Sequence, residues 1–388
     1  MLVWILVVLL VNGIISFAYS AFTSSDPAAV WGLLATNFLF YLGLSQTGII
    51  FSAIMRIAKS EWGKYFSRLG EVLTLSCIPV SVVTFLIIYF GGTDHLFYWA
   101  APQAEGAHAH HLSPWLGKGL FFWRNVFFMS VFYLLSYWYF RTACAEADAV
   151  PVNYDGERRL NVLASLVMGA YVVANTNLAW DFGMMIIPHW ESTIFPAYYW
   201  VGNVFAGPAF LFLISFVFLS KPGKPMSLVY LDSIGKLLIS FALLWIYMFW
   251  SQYMVIWYGD MPELTKPLFQ RMEGNYAFPF MLMIVALFFF PFFMLLFRKV
   301  KLSASALAVV SFVICAGVWI NRYLMVIPVF SDGTRPVFAT WTGFSLIFTG
   351  IAALLLSVKV FLKFYPVLEQ TAHVHHGHGE DHGSDGHH

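Results

Sequence analysis

The fold class is decided by residues 29–56, which read AVWGLLATNFLFYLGLSQTGIIFSAIMR. This run carries no charge before Arg56 and exceeds the roughly 20 apolar residues that cross a hydrocarbon core of about 30 Å. Similar runs lie on both sides of it, in a chain of 388 residues that is 60% hydrophobic and 11% charged. Each should be an α-helix, because lipid offers no partner to backbone N–H and C=O groups. We predict an all-α integral membrane protein of about ten transmembrane helices, over residues 2–21, 29–56, 69–90, 119–141, 160–184, 193–219, 231–258, 275–297, 303–328 and 340–362.

Composition and motifs exclude several classes of function. A net charge of +1 gives no reason to expect nucleic acid as a partner. Cys77, Cys144 and Cys315 form no CxxC pair, no c-type haem motif and no iron–sulfur spacing. The chain also lacks a Walker A loop, a Gly-x-Ser-x-Gly elbow, a His-Glu-x-x-His motif and a dinucleotide fingerprint. The first apolar run lacks a basic n-region, which favours a helix over a signal peptide.

None of the 12 histidines falls inside a predicted helix. They are His95, His108, His110, His111, His189 and the histidines beyond residue 370. A membrane carrier of b-type haem needs imidazole ligands on its helices. We therefore expect no cofactor and no metal bound in this chain.

The loops differ in charge between the two sides of the predicted bundle. Most of the 21 lysines and arginines lie on one side of the bundle, and both termini fall on that same side. Basic loops stay in the cytoplasm, so we expect both termini there. Residues 366–388 are rich in histidine and polar, which predicts a disordered cytoplasmic tail.

A weak internal repeat divides the predicted helices into two groups. Gly43 and Gly48 in the second helix have the spacing of Gly202 and Gly207 in the sixth. This pattern indicates two four-helix bundles, one over 29–190 and one over 191–330. We expect the first helix and an outer loop over 1–28, and the tenth helix within 331–365. Small residues also recur in membrane helices for packing alone, which leaves duplication as one of two explanations.

Three charged residues lie at the predicted inner ends of helices: Glu71, Asp232 and Lys236. Ionisable groups in membrane segments are costly and usually face a bundle interior. Glu71 and Lys236 occupy matching repeat positions, so they pair if the bundles touch there. The set is either the mouth of a proton path or a group of ordinary helix-end charges.

A second group lies toward the outer side. Asp181 ends the fifth helix, and His189 and Glu191 follow within a short connection. A histidine between carboxylates suits proton exchange near neutral pH, although an ordered polar loop explains the same residues. Arg322 lies within the ninth helix, where we expect it to pair with a carboxylate or to line a polar core, either as a structural ion pair or as part of the proton path.

Uncharged polar side chains lie between these two groups. They either pack between helices or line a hydrated path, and amides on such a path would need water because they do not titrate. A quinone pocket has no strict motif, and its position is not predicted. The mid-membrane set comprises Asn37, Ser45, Gln46, Thr47, Ser76, Thr84, Asn175, Asn177 and Asn203.

Five stretches carry a family resemblance. They are Asn37–Gly43 with Gly48 and Arg56, Trp180–Phe182, Pro188–Phe195, Trp250–Tyr258 and Trp319–Tyr323. Together they resemble the NrfD/PsrC family of membrane quinone-oxidoreductase subunits, and the later stretches are most similar to the NrfD-like subunits of bacterial alternative complex III. The short N-terminal region favours the ActF-like member over its ActC-like sister.

The resemblance implies a subunit without its own cofactor in a quinol:acceptor oxidoreductase of the bacterial inner membrane. It implies menaquinol or another quinol as substrate of the complex. As partners it implies an ActC-like sister, an iron–sulfur subunit and multihaem c-type cytochrome subunits. The hypothesis from sequence is a proton-translocating subunit; direct quinone binding, a passive scaffold and a stand-alone transporter are the alternatives.

Overall fold

The structure is a computed structural model that describes residues 2–60, 62–100, 113–147, 154–219, 226–334 and 336–365. Ten helices in this part are long and apolar enough to cross a membrane. They are α1 (Leu2–Thr23), α2 (Pro27–Ile57), α3 (Phe66–Leu96), α4 (Lys118–Glu146), α5 (Tyr154–Met184), α6 (Phe195–Phe218), α7 (Leu228–Gly259), α8 (Gly274–Leu296), α9 (Ala304–Val329) and α10 (Trp341–Phe364). The predicted all-α membrane fold is confirmed.

The helix α2 forms the centre of the molecule. It packs against α3, α5, α6, α9 and α10, and nearly all its side chains are buried. Gly48 permits a close contact with α3, because a Cβ there would stand 2.3 Å from the backbone oxygen of Gly70. The helices within 29–190 form the first bundle and those within 191–330 the second. The two bundles contact each other along α2 and α6.

The remaining helices surround this centre. The helix α4 packs on α5. The helices α7 and α8 pack beside α6 and α9, and α1 packs along α10. A short helix, Pro262–Met272, lies between α7 and α8. We keep the words inner and outer for the two helix ends, in the sense predicted from the basic loops.

The helix α3 extends well beyond its predicted outer end. The predicted span 69–90 is longer in the structure, because α3 continues through a π-helical turn, Ile88–Gly92, to Leu96. His95 therefore lies in its last turn, which corrects the prediction that no histidine falls within a helix. Its exposed ring stacks on Trp31 at 6.2 Å between centroids. His108, His110, His111 and the tail 366–388 lie outside the described residues.

Candidate functional site

Asp181 lies on a π-helical turn, Trp180–Met184, at the outer end of α5, and its side chain is fully buried. Its carboxylate accepts hydrogen bonds from Arg124 Nε at 3.2 Å, Asn125 Nδ2 at 2.5 Å and Asn177 Nδ2 at 3.2 Å. Arg124 Nη2 completes an ion pair with the same carboxylate. A π-helical turn re-aims side chains and is frequent at functional sites.

Arg124, the ion-pair partner of Asp181, is also buried and makes several contacts of its own. It lies on α4, is 5% exposed and also donates to the backbone oxygen of Trp115. Its guanidinium lies 4.5 Å from the Trp115 ring centroid and 5.6 Å from that of Phe121. A buried ion pair is tolerated when further hydrogen bonds satisfy both ions, and this pair meets that condition.

Glu71 lies in a second buried cluster, near the inner end of α3. It is 3% exposed, and it accepts hydrogen bonds from Ser52 Oγ and Arg68 Nη1, each at 2.6 Å. The Ser52 hydroxyl also shares a hydrogen bond with Tyr139 at 3.0 Å. Arg68 further donates to the backbone oxygen of Ala143 at 3.2 Å. The first bundle therefore contains a buried acid at each end, each neutralised by one arginine.

The predicted pair between Glu71 and Lys236 is wrong. Lys236 instead binds Asp232 one turn away, at 2.6 Å between Nζ and Oδ2. The Lys236 side chain is 66% exposed and that of Asp232 29%, and Lys301 approaches the same carboxylate at 3.9 Å. Glu71 has its own cation on the same helix, so matching repeat positions did not imply contact.

His189 and Glu191 are not joined to Asp181. Both are exposed, and His189 has a left-handed backbone with φ of +57°. Trp190 between them is buried and donates from Nε1 to the backbone oxygen of Leu264 at 3.1 Å. This anchor turns the flanking side chains outward, and no hydrogen bond or ion pair of the described residues links them to Asp181.

The outer half of a polar column begins at Asp181. Asn177 contacts that carboxylate, and Asn175 follows on the same helix. Asn175 Nδ2 donates to Gln46 Oε1 on α2 at 2.9 Å. All these side chains are buried, but Asn175 and Asn177 are two positions apart on α5, point to different sides of that helix and make no hydrogen bond with each other among the described residues.

The inner half of the column joins α2 to α3. Thr74 Oγ1 donates to the backbone oxygen of Ser45 at 2.6 Å, and Ser52 beyond it reaches Glu71. The outer half runs from Asn175 to Asp181 on α5, and the inner half from Gln46 to Ser52 on α2. Each is about 9 Å long at a rise of about 1.5 Å per residue. Hydrogen bonds between the described side chains join neither Asn177 to Asn175, nor Gln46 to Thr74, nor Thr74 to Ser52. Water molecules would therefore be needed at each of these steps to complete the column.

Arg322 lies beside the column, in the second bundle. It is fully buried, and its Nη2 donates to Asn203 Oδ1 at 2.9 Å and to the backbone oxygen of Tyr199 at 2.7 Å. Its guanidinium also lies 4.1 Å from the Tyr199 ring centroid. No carboxylate of the described residues pairs with it, so the predicted ion pair is wrong and the alternative, a polar core, is confirmed.

A second buried arginine lies at the outer end of the same bundle. Arg271 on the short helix is 5% exposed, with its guanidinium 5.3 Å from the Trp190 ring centroid. Burial lowers the pKa of this guanidinium, and the neighbouring Tyr253 hydroxyl opposes the shift. Arg271 Nη2 lies 3.5 Å from the backbone oxygen of Met325, and no described carboxylate pairs with it.

An apolar cavity of about 540 Å³ lies between α3 and α4. Aliphatic and aromatic side chains form most of its wall. The residues on that wall that carry a polar side-chain group are Ser81, Asn125, Ser130, Tyr133 and Tyr137. Asn125 also donates to Asp181, so the cavity and the outer acid share one side chain.

Sequence reasoning missed several partners of the two acids. Asn125, Ser52 and Tyr139 are single polar residues in apolar runs, and each contacts Asp181, Glu71 or a ligand of Glu71. A search for polar residues adjacent to in-span arginines would have found Asn125. Ser52 and Tyr139 gave no such signal.

Comparison with protein-family models and with curated proteins finds no match for this sequence. The resemblance to the NrfD/PsrC family therefore stays a prediction that rests on the motifs quoted above.

Proposed function

We propose that this chain is a membrane subunit of a quinol:electron-acceptor oxidoreductase of the NrfD/PsrC type, closest to the ActF-like subunits of alternative complex III. Its proposed role is proton translocation coupled to quinol oxidation. The observation that carries the proposal is the polar column of the first bundle, with Glu71 and Asp181 buried at its two ends. Buried ionisable groups in membrane segments mark ion and proton paths more often than they serve structure.

The chemistry follows from the column's side chains. A proton taken up at the inner end resides on a Glu71 oxygen, next to the Ser52 hydroxyl. The amides of Gln46 and Asn175 do not titrate, so they orient water that carries the proton between the halves. At the outer end the proton resides on Asp181, where Arg124 favours its release.

The rest of the assignment follows the family resemblance. Electrons would pass through the iron–sulfur and multihaem cytochrome subunits, with menaquinol or another quinol oxidised beside the ActC-like sister. The complex would lie in the bacterial inner membrane with both termini of this chain in the cytoplasm. His189, Glu191, Asp232 and Lys236 would then lie at the surfaces and exchange protons with bulk water.

The test is proton release per electron in the purified complex reconstituted in liposomes. Asp181→Asn and Glu71→Gln should each lower that ratio while quinol oxidation continues. Asp94→Asn is the matched control, because it removes a carboxylate that is 49% exposed and lies outside the proposed path, and it should leave the ratio unchanged. An unchanged ratio in both buried variants, with the complex intact, would remove the proton role.

The cavity between α3 and α4 favours a second candidate function, direct quinol binding by this chain. Its size and mostly apolar wall suit a lipid-soluble ring, and a few polar groups suffice to orient one. A photoreactive quinone analogue should then label residues near Tyr133, and Tyr133→Phe should weaken that labelling. Labelling confined to another subunit would eliminate this candidate.

A further inference from the structure

The polar column has a branch that enters the second bundle. Asn203 on α6 donates from Nδ2 to Asn175 Oδ1 at 3.2 Å, and its own oxygen accepts from Arg322. Gly43 on α2 makes the branch possible, because a Cβ there would stand 2.3 Å from Asn203 Oδ1. A hydrogen-bonded chain thus runs from Gln46 in the first bundle to Arg322 in the second.

Polar groups continue beyond Arg322 toward the outer end. Arg322 Nη1 donates to Asn321 Oδ1 at 3.0 Å, and Asn321 Nδ2 donates to the Tyr198 hydroxyl. Farther along α7, Trp245 Nε1 and Gln252 Nε2 are buried and make no hydrogen bond with the described residues. The second bundle therefore contains further buried polar groups beyond the hydrogen-bonded chain that ends at Tyr198.

The charge of Arg322 is the unusual feature of this branch. Its hydrogen-bond partners are neutral dipoles, and its Nε is buried without a partner. Arg271 adds a second buried cation beyond it, and both arginines contact Met325. Such an arginine keeps its charge, because guanidinium does not deprotonate in proteins.

We propose that Arg322 is an electrostatic barrier that keeps protons of the first bundle out of the second. A hydronium ion entering the branch meets a fixed positive charge in a poorly screened interior, where like charges repel strongly. The column alone then carries protons between Glu71 and Asp181. This inference rests on the proposed proton function, but the barrier itself is measurable without turnover.

The experiment is a passive leak assay on the full-length protein, purified with its associated subunits and reconstituted in liposomes without quinol. A potassium potential drives protons, and an internal pH dye reports their entry. Arg322→Gln retains hydrogen-bond donors for Asn203 and the Tyr199 carbonyl but removes the charge, and should raise the leak about 10- to 100-fold. Gly169→Ala, which meets no atom within 4 Å, is the control and should stay near wild type.

A second variant covers the case in which Arg322→Gln does not assemble. Asn203→Asp keeps the arginine but places a carboxylate where Asn203 Oδ1 already accepts its hydrogen bond, which neutralises the barrier. It should raise the leak as Arg322→Gln does. The proposal is overturned if assembled Arg322→Gln or Asn203→Asp is as tight as wild type.

The leak assay also separates this inference from the proposed function. If Asp181→Asn leaves proton release per electron unchanged while Arg322→Gln leaks, the coupled function fails and the barrier stands. If Asp181→Asn lowers the ratio while Arg322→Gln stays tight, the coupled function stands and the barrier fails.

Discussion

The two bundles bury charge in opposite ways. In the first, Asp181 and Glu71 each lie against an arginine. In the second, Arg322 and Arg271 are buried, and no described carboxylate pairs with either. Ion pairs therefore compensate the buried charges of the first bundle, whereas neutral dipoles and aromatic rings surround the buried cations of the second.

This difference shows that buried charge is compensated differently in the two bundles. In a matched pair the arginine favours the ionised carboxylate, so a proton taken up there during turnover is readily released. An arginine without a counter-ion keeps a fixed charge, which suits a barrier. The predictions that follow test this contrast, beginning with the largest expected effect.

Arg124→Met should be the most damaging change in the molecule. It leaves Asp181 buried without its cation, and breaking a buried pair by removing one partner costs about 3–5 kcal/mol. The free energy of unfolding in detergent measures the loss. Adding Asp181→Leu should restore most of the stability, because the double variant no longer buries an unpaired charge. A loss under about 1 kcal/mol for Arg124→Met alone would show that the pair does not hold the first bundle together.

Arg322→Met should cost less, although Arg322 is buried more completely than Arg124. The change leaves Asn203 Oδ1 and the Tyr199 carbonyl without a donor, a loss of about 1–3 kcal/mol. It strands no opposite charge, so the cost does not reach that of Arg124→Met. Both variants belong in one unfolding series, and equal losses would remove the distinction between paired and unpaired arginines.

Gly43→Ala should weaken the contact between the bundles themselves. The new methyl group would stand 2.3 Å from Asn203 Oδ1, so Asn203 must withdraw from Asn175. Forcing an extra methyl group into a packed core costs about 1–3 kcal/mol. Gly169→Ala on α5 is the matched control, since it meets no atom within 4 Å and should not destabilise. If the two variants lowered the thermal midpoint equally, close packing at Gly43 would not be what joins the halves.

The same contrast shows how far sequence reasoning reached. Hydropathy predicted the ten helices because membrane-spanning length is a property of each segment alone. It did not reveal how each helix is rotated about its axis, so it missed Arg124 as the partner of Asp181 and paired Glu71 with Lys236. The end of α3 was also misplaced, since Thr93–Leu96 contains Asp94 and His95 and does not look apolar.

Repeat symmetry was the least dependable guide. Gly43 and Gly202 occupy matching positions, yet one accommodates Asn203 and the other Arg322, whose Nη2 would stand 2.9 Å from a Cβ at Gly202. The positions of the small residues therefore match between the two bundles, but the side chains that pack against them differ. The sequence indicated that the charge of Arg322 is energetically costly inside a membrane-spanning helix. It did not indicate whether a carboxylate pairs with it.

The smallest expected effect concerns Asp232 and Lys236, which sequence placed beside Glu71 in a single group. Asp232→Asn removes an exposed helix-surface pair that water already screens, so the thermal midpoint should not change measurably. Glu71→Gln, by contrast, disturbs a buried network with Ser52 and Arg68 and should lower the midpoint. Because both changes turn a carboxylate into an amide near the same end of the molecule, their difference isolates burial as the cause. Equal midpoints for the two variants would mean that the first bundle does not depend on its inner acid, and the contrast between the bundles would then rest on Asp181 alone.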